Sequence, residues 1–482
     1  MQIYNSLSGK KEKLSPPLRD KELKLFVCGP TVYDDPHMGH ARTAVSFDII
    51  AKFLRTEGFS LNYLQNITNI DDKIINRAKE QNENPFALAE RFEGAYMDTM
   101  KMLGVDSITT YARASDHIPE VIKQVQTLIQ KEYAYRIEGD GYYFDIKKFE
   151  DYGKLSKRTA LQAEDSVSRI DEGIEKRNRG DFCLWKFVDV RDIKNTSEHT
   201  IIHGEPAWNS PFGWGRPGWH IEDTAITEKY FGPQYDLHGG GLDLKFPHHE
   251  AEIAQQEAAS GKKPFVRFWL HAGFVSIDGE KMSKSKKNFI SVTDFFKKNG
   301  SDNEATKNTF RILVASHHYR SPMNFSWELF EQARVRFSSL VEFVTKLEFI
   351  KNSKNTKEQE HTSIDAEKIE QSFFDAMRDD FNTPLALGML FSEMNRIAPY
   401  MFSLNKNDIN SFISATEKCL HIIGISIPHH TVPERVIHIM NERELSRAHK
   451  QFAHADALRK EIEELGYEVE DTPIGPFVKK IK

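Results

Sequence analysis

The stretch that most constrains the fold is a strand–helix–strand unit near the N-terminus. "LKLFVCG", residues 23–29, is a short apolar run of the kind that becomes a buried strand. "PTVYDDPHMGH" follows as a Pro, Asp and Gly loop. "ARTAVSFDIIAKFLRTEG" then sets Val45, Ile49 and Phe53 at helical spacing, with Phe47, Ile50 and Leu54 beside them and Gly58 as a stop. "SLNYLQNIT" is a second strand. Strands joined through a helix in this way lie parallel. Ligands of such sheets bind at the carboxyl ends of the strands. Here that end is the loop bearing Cys28, His37 and His40.

Further on, the pattern is helical from about 85 to 135, and "GDGYYFDIKKF" (139–149) reads as a hairpin return. Residues 150–205 are polar and charged and resemble an insertion. Trp, Gly, His and Pro then dominate from 206 to 280, where an Asp278-Gly279 turn signal precedes a lysine- and serine-rich loop. Beyond about 305 the pattern is mostly helical, with "KNSKNTKEQEHT" (351–362) as a solvated linker. In a last unit from about 436, "ERELSRAHKQFAHADALRKEIEELG" reads as one helix, its apolar stripe running from Leu445 through Phe452 and Leu458 to Leu465.

Two motifs carry phosphate chemistry. "HMGH" (37–40) sits just before the first helix, where free backbone N–H groups and the helix dipole favour anions. "KMSKS" (281–285) brings Lys281 and Lys284 into a loop after a strand. Alone, each reads as ordinary: surface histidines in a turn, or a solvated basic loop. Together they place ATP between a histidine pair and a lysine loop. The pair resembles the HIGH and KMSKS signatures of class I aminoacyl-tRNA synthetases. "FVCGPTVYD" (26–34), "NITNIDDKI" (66–74), "RPGWHIE" (216–222), "HGGGLDLKFPHHEAEIAQ" (238–255) and "DDFNTPLAL" (379–387) narrow the resemblance to cysteinyl-tRNA synthetases, over essentially the whole chain.

The residues also suggest a metal. "PHHEAEIAQ" should open a helix, which puts His248 and Glu252, four apart, on one face. With Cys28 at a strand end they make three candidate zinc ligands. Against this stand an exposed His–Glu pair and a small buried Cys, both common. The resemblance lifts the set above these. In the family zinc is held by two cysteines, a histidine and a glutamate, and binds the substrate thiol. Three positions match as Cys28, His248 and Glu252, but Asp223 stands where the family has its second cysteine. Asp223 either ligates zinc through oxygen, keeping the charge and losing sulfur, or is hydrogen-bonded nearby. Zinc selects cysteine over serine by favouring thiolate, so the insertion is not expected to hydrolyse mischarged product.

The resemblance implies an α/β fold. A split Rossmann-type catalytic domain covers 1–120 and 206–275, with an inserted connective module at 121–205. A KMSKS-loop and stem-contact region (276–320), a helical bundle (321–435) and a small anticodon-binding domain (436–482) follow. Cys28, Gly29, Thr68 and Trp219 belong to the cysteine pocket, and His37, His40, Gly241, Asp243 and Lys284 to ATP, which arrives with Mg2+. His37, His40, Lys281 and Lys284 stabilise charge on the phosphates while the cysteine carboxylate attacks, and the acyl group then passes to tRNA(Cys).

The net charge of −6 excludes wholesale nucleic-acid coating but not a local basic face. Arg443, Arg447, Lys450 and His454 supply one, with Lys479, Lys480 and Lys482 in the tail. Three scattered cysteines, no apolar leader and no membrane-length apolar run point to a soluble cytoplasmic protein. A monomer is expected; with no coiled-coil seam evident, the sequence itself does not give the oligomeric state. An ATP-dependent ligase joining cysteine to an amino sugar is the alternative enzyme, disfavoured by the long chain after "KMSKS". A non-catalytic RNA-binding relative has no need of the two phosphate motifs.

Overall fold

The structure, a computed structural model, describes residues 1–14, 22–158, 175–189, 199–282, 288–300, 303–353, 364–428 and 431–481. The chain forms two compact units. One takes 1–307, 317–325 and 378–381; the other takes 308–316, 326–377 and 382–482.

The first unit is built on a five-stranded parallel sheet. The apolar run near the N-terminus becomes β1 (Glu22–Val27), the amphipathic stretch α1 (Met38–Thr56) and the second run β2 (Ser60–Ile67). They are joined by β3 (Thr110–Arg113), α2 (Ile221–Phe231), β4 (Tyr235–Gly241), α3 (His248–Ser260) and β5 (Val266–Ala272). The strand order is β5-β4-β1-β2-β3, and every neighbouring pair is parallel. The second half of β1 is continuously apolar because both faces are covered there: Leu25, Phe26 and Val27 are all buried, as is Leu23. The chain winds outward from β1 through β2 to β3, then returns to β1's other side as β4. That reversal opens a crevice at the carboxyl ends of β1 and β4, which positions the site.

Between β3 and α2 lies a helix, Ile118–Gln130, and a six-stranded antiparallel sheet. Its strands run in the order Ala134–Ile137, Gly141–Phe144, Phe182–Phe187, Gly215–Pro217, Glu205–Trp208 and His199–Ile202. Two of them lie at or beyond the composition change at 206, because pairing depends on partner strands rather than on local composition. The Asp278-Gly279 signal is a two-residue turn between Val275–Ile277 and Glu280–Lys281, with φ of 49° and 81°.

The second unit is helical, with Trp327–Asn352, Thr383–Ile397 and Lys406–Ile423 among its elements. Phe343 and Phe412 pack edge to face inside it. The chain then forms helices Glu434–Ala448 and Phe452–Glu464 and the hairpin Tyr467–Thr472/Gly475–Lys480, around a core of Val436, Ile439, Leu458, Ile462, Val469 and Val478.

Two expectations fail here. The single helix expected from Glu442 onward is broken, because Lys450 adopts a left-handed φ of 60° and turns the chain. The stripe is therefore split: Leu445 and Phe452 are 62% and 61% exposed, while Ala455, Leu458 and Ile462 of the second helix are buried. The basic face is also largely neutralised. Arg443 is buried on Asp471 at 2.9 Å and Glu444 at 2.6 Å, Arg447 pairs with Asp471, and His454 lies 3.6 Å from Glu442. Lys479 pairs with Glu342 at 3.1 Å; Lys482 lies outside the described residues. Among the described residues no helix is long and apolar enough to cross a membrane.

Candidate active site

The site begins where β1 ends. The Cys28 amide donates to Gly239 of β4 at 3.0 Å, so the side chain is set at the crevice between the two strands. Gly29 is dictated by packing: a Cβ there would stand 1.7 Å from the Asn66 carbonyl oxygen. Its amide donates to Asn66 Oδ1 at 2.5 Å. In the glycine run that ends β4, a Cβ on Gly239 would strike the Phe47 ring of α1 at 2.3 Å, and one on Gly240 would press on His249 at 2.9 Å. The run lets α1 and α3 close on the strand end.

At the rim, His37 caps α1. Its Nδ1 accepts from the amides of Gly39 at 3.0 Å and His40 at 3.4 Å, while the His37 amide donates to His40 Nδ1 at 3.3 Å. The rings stack at 3.8 Å. Burial lowers the pKa of both, and that of His40 falls well below the usual range. Since both Nδ1 atoms accept, each neutral ring carries its proton on Nε2. The "HMGH" turn thus presents ring N–H donors beside a helix N-terminus, an arrangement suited to phosphate oxygens. Asp243 stands close enough for its charge to oppose the lowering at His37.

At the floor, α3 puts His248 and Glu252 on one face, as their spacing requires. His248 Nε2 lies 2.9 Å from Asp223 Oδ2 and 3.0 Å from Glu252 Oε1, and Glu252 Oε1 lies 3.9 Å from Cys28 Sγ. Asn66 donates to the other Asp223 oxygen at 2.5 Å and to Thr68 at 3.2 Å; Thr68 in turn donates to Glu222. Burial would lower His248, but the carboxylates of Glu252 and Asp223 reverse this and raise it to about 10. Burial, with Glu252 and Asp223, pushes the Cys28 thiol well up. Burial raises the Glu252 carboxyl to about 7, so without a cation a protonated His248 and a partly protonated Glu252 share the charge of this group. Trp219 stacks on His248 at 4.3 Å, and the Lys73 ammonium sits 5.6 Å from the Trp219 ring.

Cys28, Gly29, His37, His40, Thr68, Trp219, Asp223, Gly241, Asp243 and His248 line one cleft of about 370 Å³. Glu252 is fully buried behind it. The backbone of Lys281 ends a short strand, and Lys284 lies outside the described residues. Neither Cys183 nor Cys419 joins a group of possible ligands among the described residues.

The structure adds residues that no motif assigned a role. Sγ of Cys28 lies 3.3 Å from His238 Nε2 and 3.1 Å from His249 Nε2, both rings fully buried. His238 Nδ1 meets Tyr235 Oη at 2.7 Å, and His249 Nδ1 meets His271 Nε2 at 3.0 Å. Two quartets of donor atoms therefore converge at the floor: Cys28, Asp223, His248 and Glu252, and Cys28, His238, His249 and Glu252. The clues were in "HGGG" and "PHHE", where histidines stand beside the residues already singled out.

A β1–α1–β2 unit with a histidine-capped helix over a parallel-sheet crevice is the frame of a class I synthetase catalytic domain. The sequence model described as tRNA synthetases class I (C) catalytic domain matches residues 14–335, and that of the DALR domain matches 372–424. Cysteine–tRNA ligases from Persephonella marina and Caldicellulosiruptor saccharolyticus are 39% and 40% identical to the chain over its whole length, covering 99% and 100% of their own. The chain belongs to the cysteine–tRNA ligase family. Its fold is similar to methionyl-tRNA synthetase of Mycobacterium tuberculosis (TM-score 0.56, 14% identity, 83% of this chain and 89% of that one). It is also similar to a leucyl-tRNA synthetase of Agrobacterium radiobacter K84 (TM-score 0.60, 10% identity, 86% and 87%).

Proposed function

We propose that this chain is a cysteine–tRNA ligase that activates L-cysteine with ATP and transfers it to tRNA(Cys). The observation that carries the reading is one cleft with phosphate donors at its rim and a thiolate–imidazole–carboxylate donor set at its floor. The donors fit zinc: one sulfur, one imidazole nitrogen and two carboxylate oxygens within reach of one another, with Glu252 Oε2 buried and accepting no hydrogen bond. Zinc held by Cys28, Asp223, His248 and Glu252 would take the substrate thiol as thiolate and favour it over a hydroxyl. Asn66 occupies one oxygen of Asp223 and leaves the other toward His248, an arrangement that supports monodentate ligation.

The chain's own groups do the rest. Trp219 and Thr68 border the amino-acid end of the cleft. His37 and His40 donate from Nε2 to phosphate oxygens as charge builds on them, and Lys281 and Lys284 add cations. Gly241 and Asp243 meet the nucleoside, Asp243 accepting from ribose hydroxyls. Magnesium accompanies ATP as part of that substrate. No protein nucleophile is needed; the work is positioning and electrostatics. The protein works in the cytoplasm as a monomer.

The test is cysteine-dependent pyrophosphate exchange and tRNA(Cys) charging by the full chain, with zinc analysis of wild type and Asp223→Ala. Exchange with cysteine and not serine, and zinc lost in the variant, are expected. Unchanged zinc and exchange in Asp223→Ala would remove Asp223 from the ligand set. Failure to charge tRNA(Cys) would end the ligase reading.

A further inference from the structure

We propose that Cys28, His238, His249 and Glu252 form a second seat for a thiophilic divalent cation, directly beneath the cleft floor. It shares Cys28 and Glu252 with the upper quartet, so one ion occupies one seat or the other. It does not require Asp223 to be a ligand.

Geometry is the first argument. Cys28 Sγ lies 3.3 Å and 3.1 Å from the two Nε2 atoms and 3.9 Å from Glu252 Oε1. Ligand atoms around a tetrahedral zinc with bonds of 2.0–2.3 Å stand roughly 3.3–3.8 Å apart. The three edges from the sulfur fall near that range, and all four donor atoms lie within 4.8 Å of one another. Orientation is the second. His238 Nδ1 has Tyr235 Oη at 2.7 Å; His249 Nδ1 has His271 Nε2 at 3.0 Å, and His271 Nδ1 has Ser6 Oγ at 2.8 Å. These partners hold the Nδ1 side of each ring and leave Nε2 to face the sulfur, which is how outer hydrogen bonds aim metal-bound imidazoles; Glu252 Oε2 stands 3.6 Å from His238 Nδ1, so this carboxylate would ligate through Oε1.

Charge is the third argument. The upper quartet holds three anionic donors, as it would with a thiolate at 223, and leaves a dication with one excess negative charge; the carboxylate at 223 makes two of those three donors hard oxygens. The lower quartet holds two anionic donors and two imidazoles, which neutralise the ion. In a site where His238, His249 and Glu252 are all 0% exposed, the neutral set is the less costly to bury. It also suits a borderline-soft cation better, with two nitrogens and one sulfur.

The two seats would differ in use. Cys28, Asp223 and His248 border the cleft; His238, His249 and Glu252 do not. An ion in the lower seat has four protein donors and no face open to a ligand, the form of a holding site. An ion in the upper seat can meet a substrate thiol.

The test uses the full chain stripped of metal and reloaded with Zn2+ or Co2+. Asp223→Asn/His248→Gln removes both donors unique to the upper seat while keeping their shapes. The second seat predicts that this variant still binds about one equivalent of Zn2+. Its Co2+ form should show thiolate-to-metal charge transfer, and its zinc-edge scattering two imidazoles. His238→Gln/His249→Gln, with the upper seat intact, should lose the two-imidazole signature. If wild type binds one equivalent and Asp223→Asn/His248→Gln, folded by circular dichroism, binds none, the second seat is overturned while the upper one stands. Should that variant not fold, wild-type scattering decides: two imidazoles support the lower seat, and one overturns it. Wild type binding no metal would overturn both seats.

Discussion

The two donor quartets share a sulfur and a carboxylate, yet one opens on the cleft and the other is sealed. The upper set is assembled from three places in the fold: the end of β1, the first turn of α2 and the start of α3. It can accept a guest because Trp219, Thr68 and Asp223 leave space above it. The lower set closes on itself through Tyr235, His271 and Ser6. The presence of ligand atoms does not define a catalytic metal site. An unfilled position facing substrate does, and that is a property of what surrounds the donors.

The comparison breaks most completely at the residues common to both halves. Cys28→Ala should abolish stoichiometric zinc and lower cysteine-dependent pyrophosphate exchange by more than about 100-fold, since removing merely an outer partner of a ligand costs 10–100-fold; metal analysis and exchange kinetics check it. Next in size, His37→Ala or His40→Ala should lower kcat/KM for exchange by roughly 10²–10³-fold, the scale for losing one donor to a developing anion. Zinc content should not change, which separates rim from floor. Asp223→Cys adds sulfur to the upper set alone and should tighten zinc about 10-fold, measured by competition with a chelator.

The smallest effect is pH dependence of the metal-free chain. Burial lowers the pKa of His220, His238, His249 and His271, the last to about 3. Below about pH 6.5 the unfolded chain binds protons that these folded imidazoles refuse, so stability is present above that pH and is lost as pH falls. Each histidine contributes a slope of up to about 1.4 kcal/mol per pH unit. Denaturant melts between pH 7.5 and 5 should show the midpoint falling with acid, and saturating zinc should raise the midpoint at pH 7.5 and steepen its fall, because its ligands must shed protons to bind it. Glu252, raised to about 7 by burial, opposes part of this slope, so Glu252→Gln should steepen it; a profile flat in both proteins would mean the imidazoles are less sealed than their burial indicates.

Much of this was legible beforehand. Alternation of apolar runs with an amphipathic helix gave the parallel unit. The i, i+4 spacing gave the shared face of His248 and Glu252, and "HMGH" gave the capped helix. What was missed has a common cause. His238 and His249 are apolar-site histidines whose partners come from β1, β4 and β5, far apart in sequence. The Arg443–Asp471 pair and the turn at Lys450 were hidden likewise: periodicity cannot register a break made by one left-handed residue, nor a neutralising acid on a later strand.

By itself the sequence determined which side chains the protein owns, which of them share a helix face, and that one active-site position carries a carboxylate. Local spacing is enough for that, because helix and strand periods are short. Only the tertiary structure decided that Asn66 holds one oxygen of Asp223, that His248 lies between two carboxylates, and that Cys28 faces two further imidazoles. Those are meetings of segments more than a hundred residues apart in places, and packing of strand ends against α2 and α3 sets them to within a hydrogen-bond length.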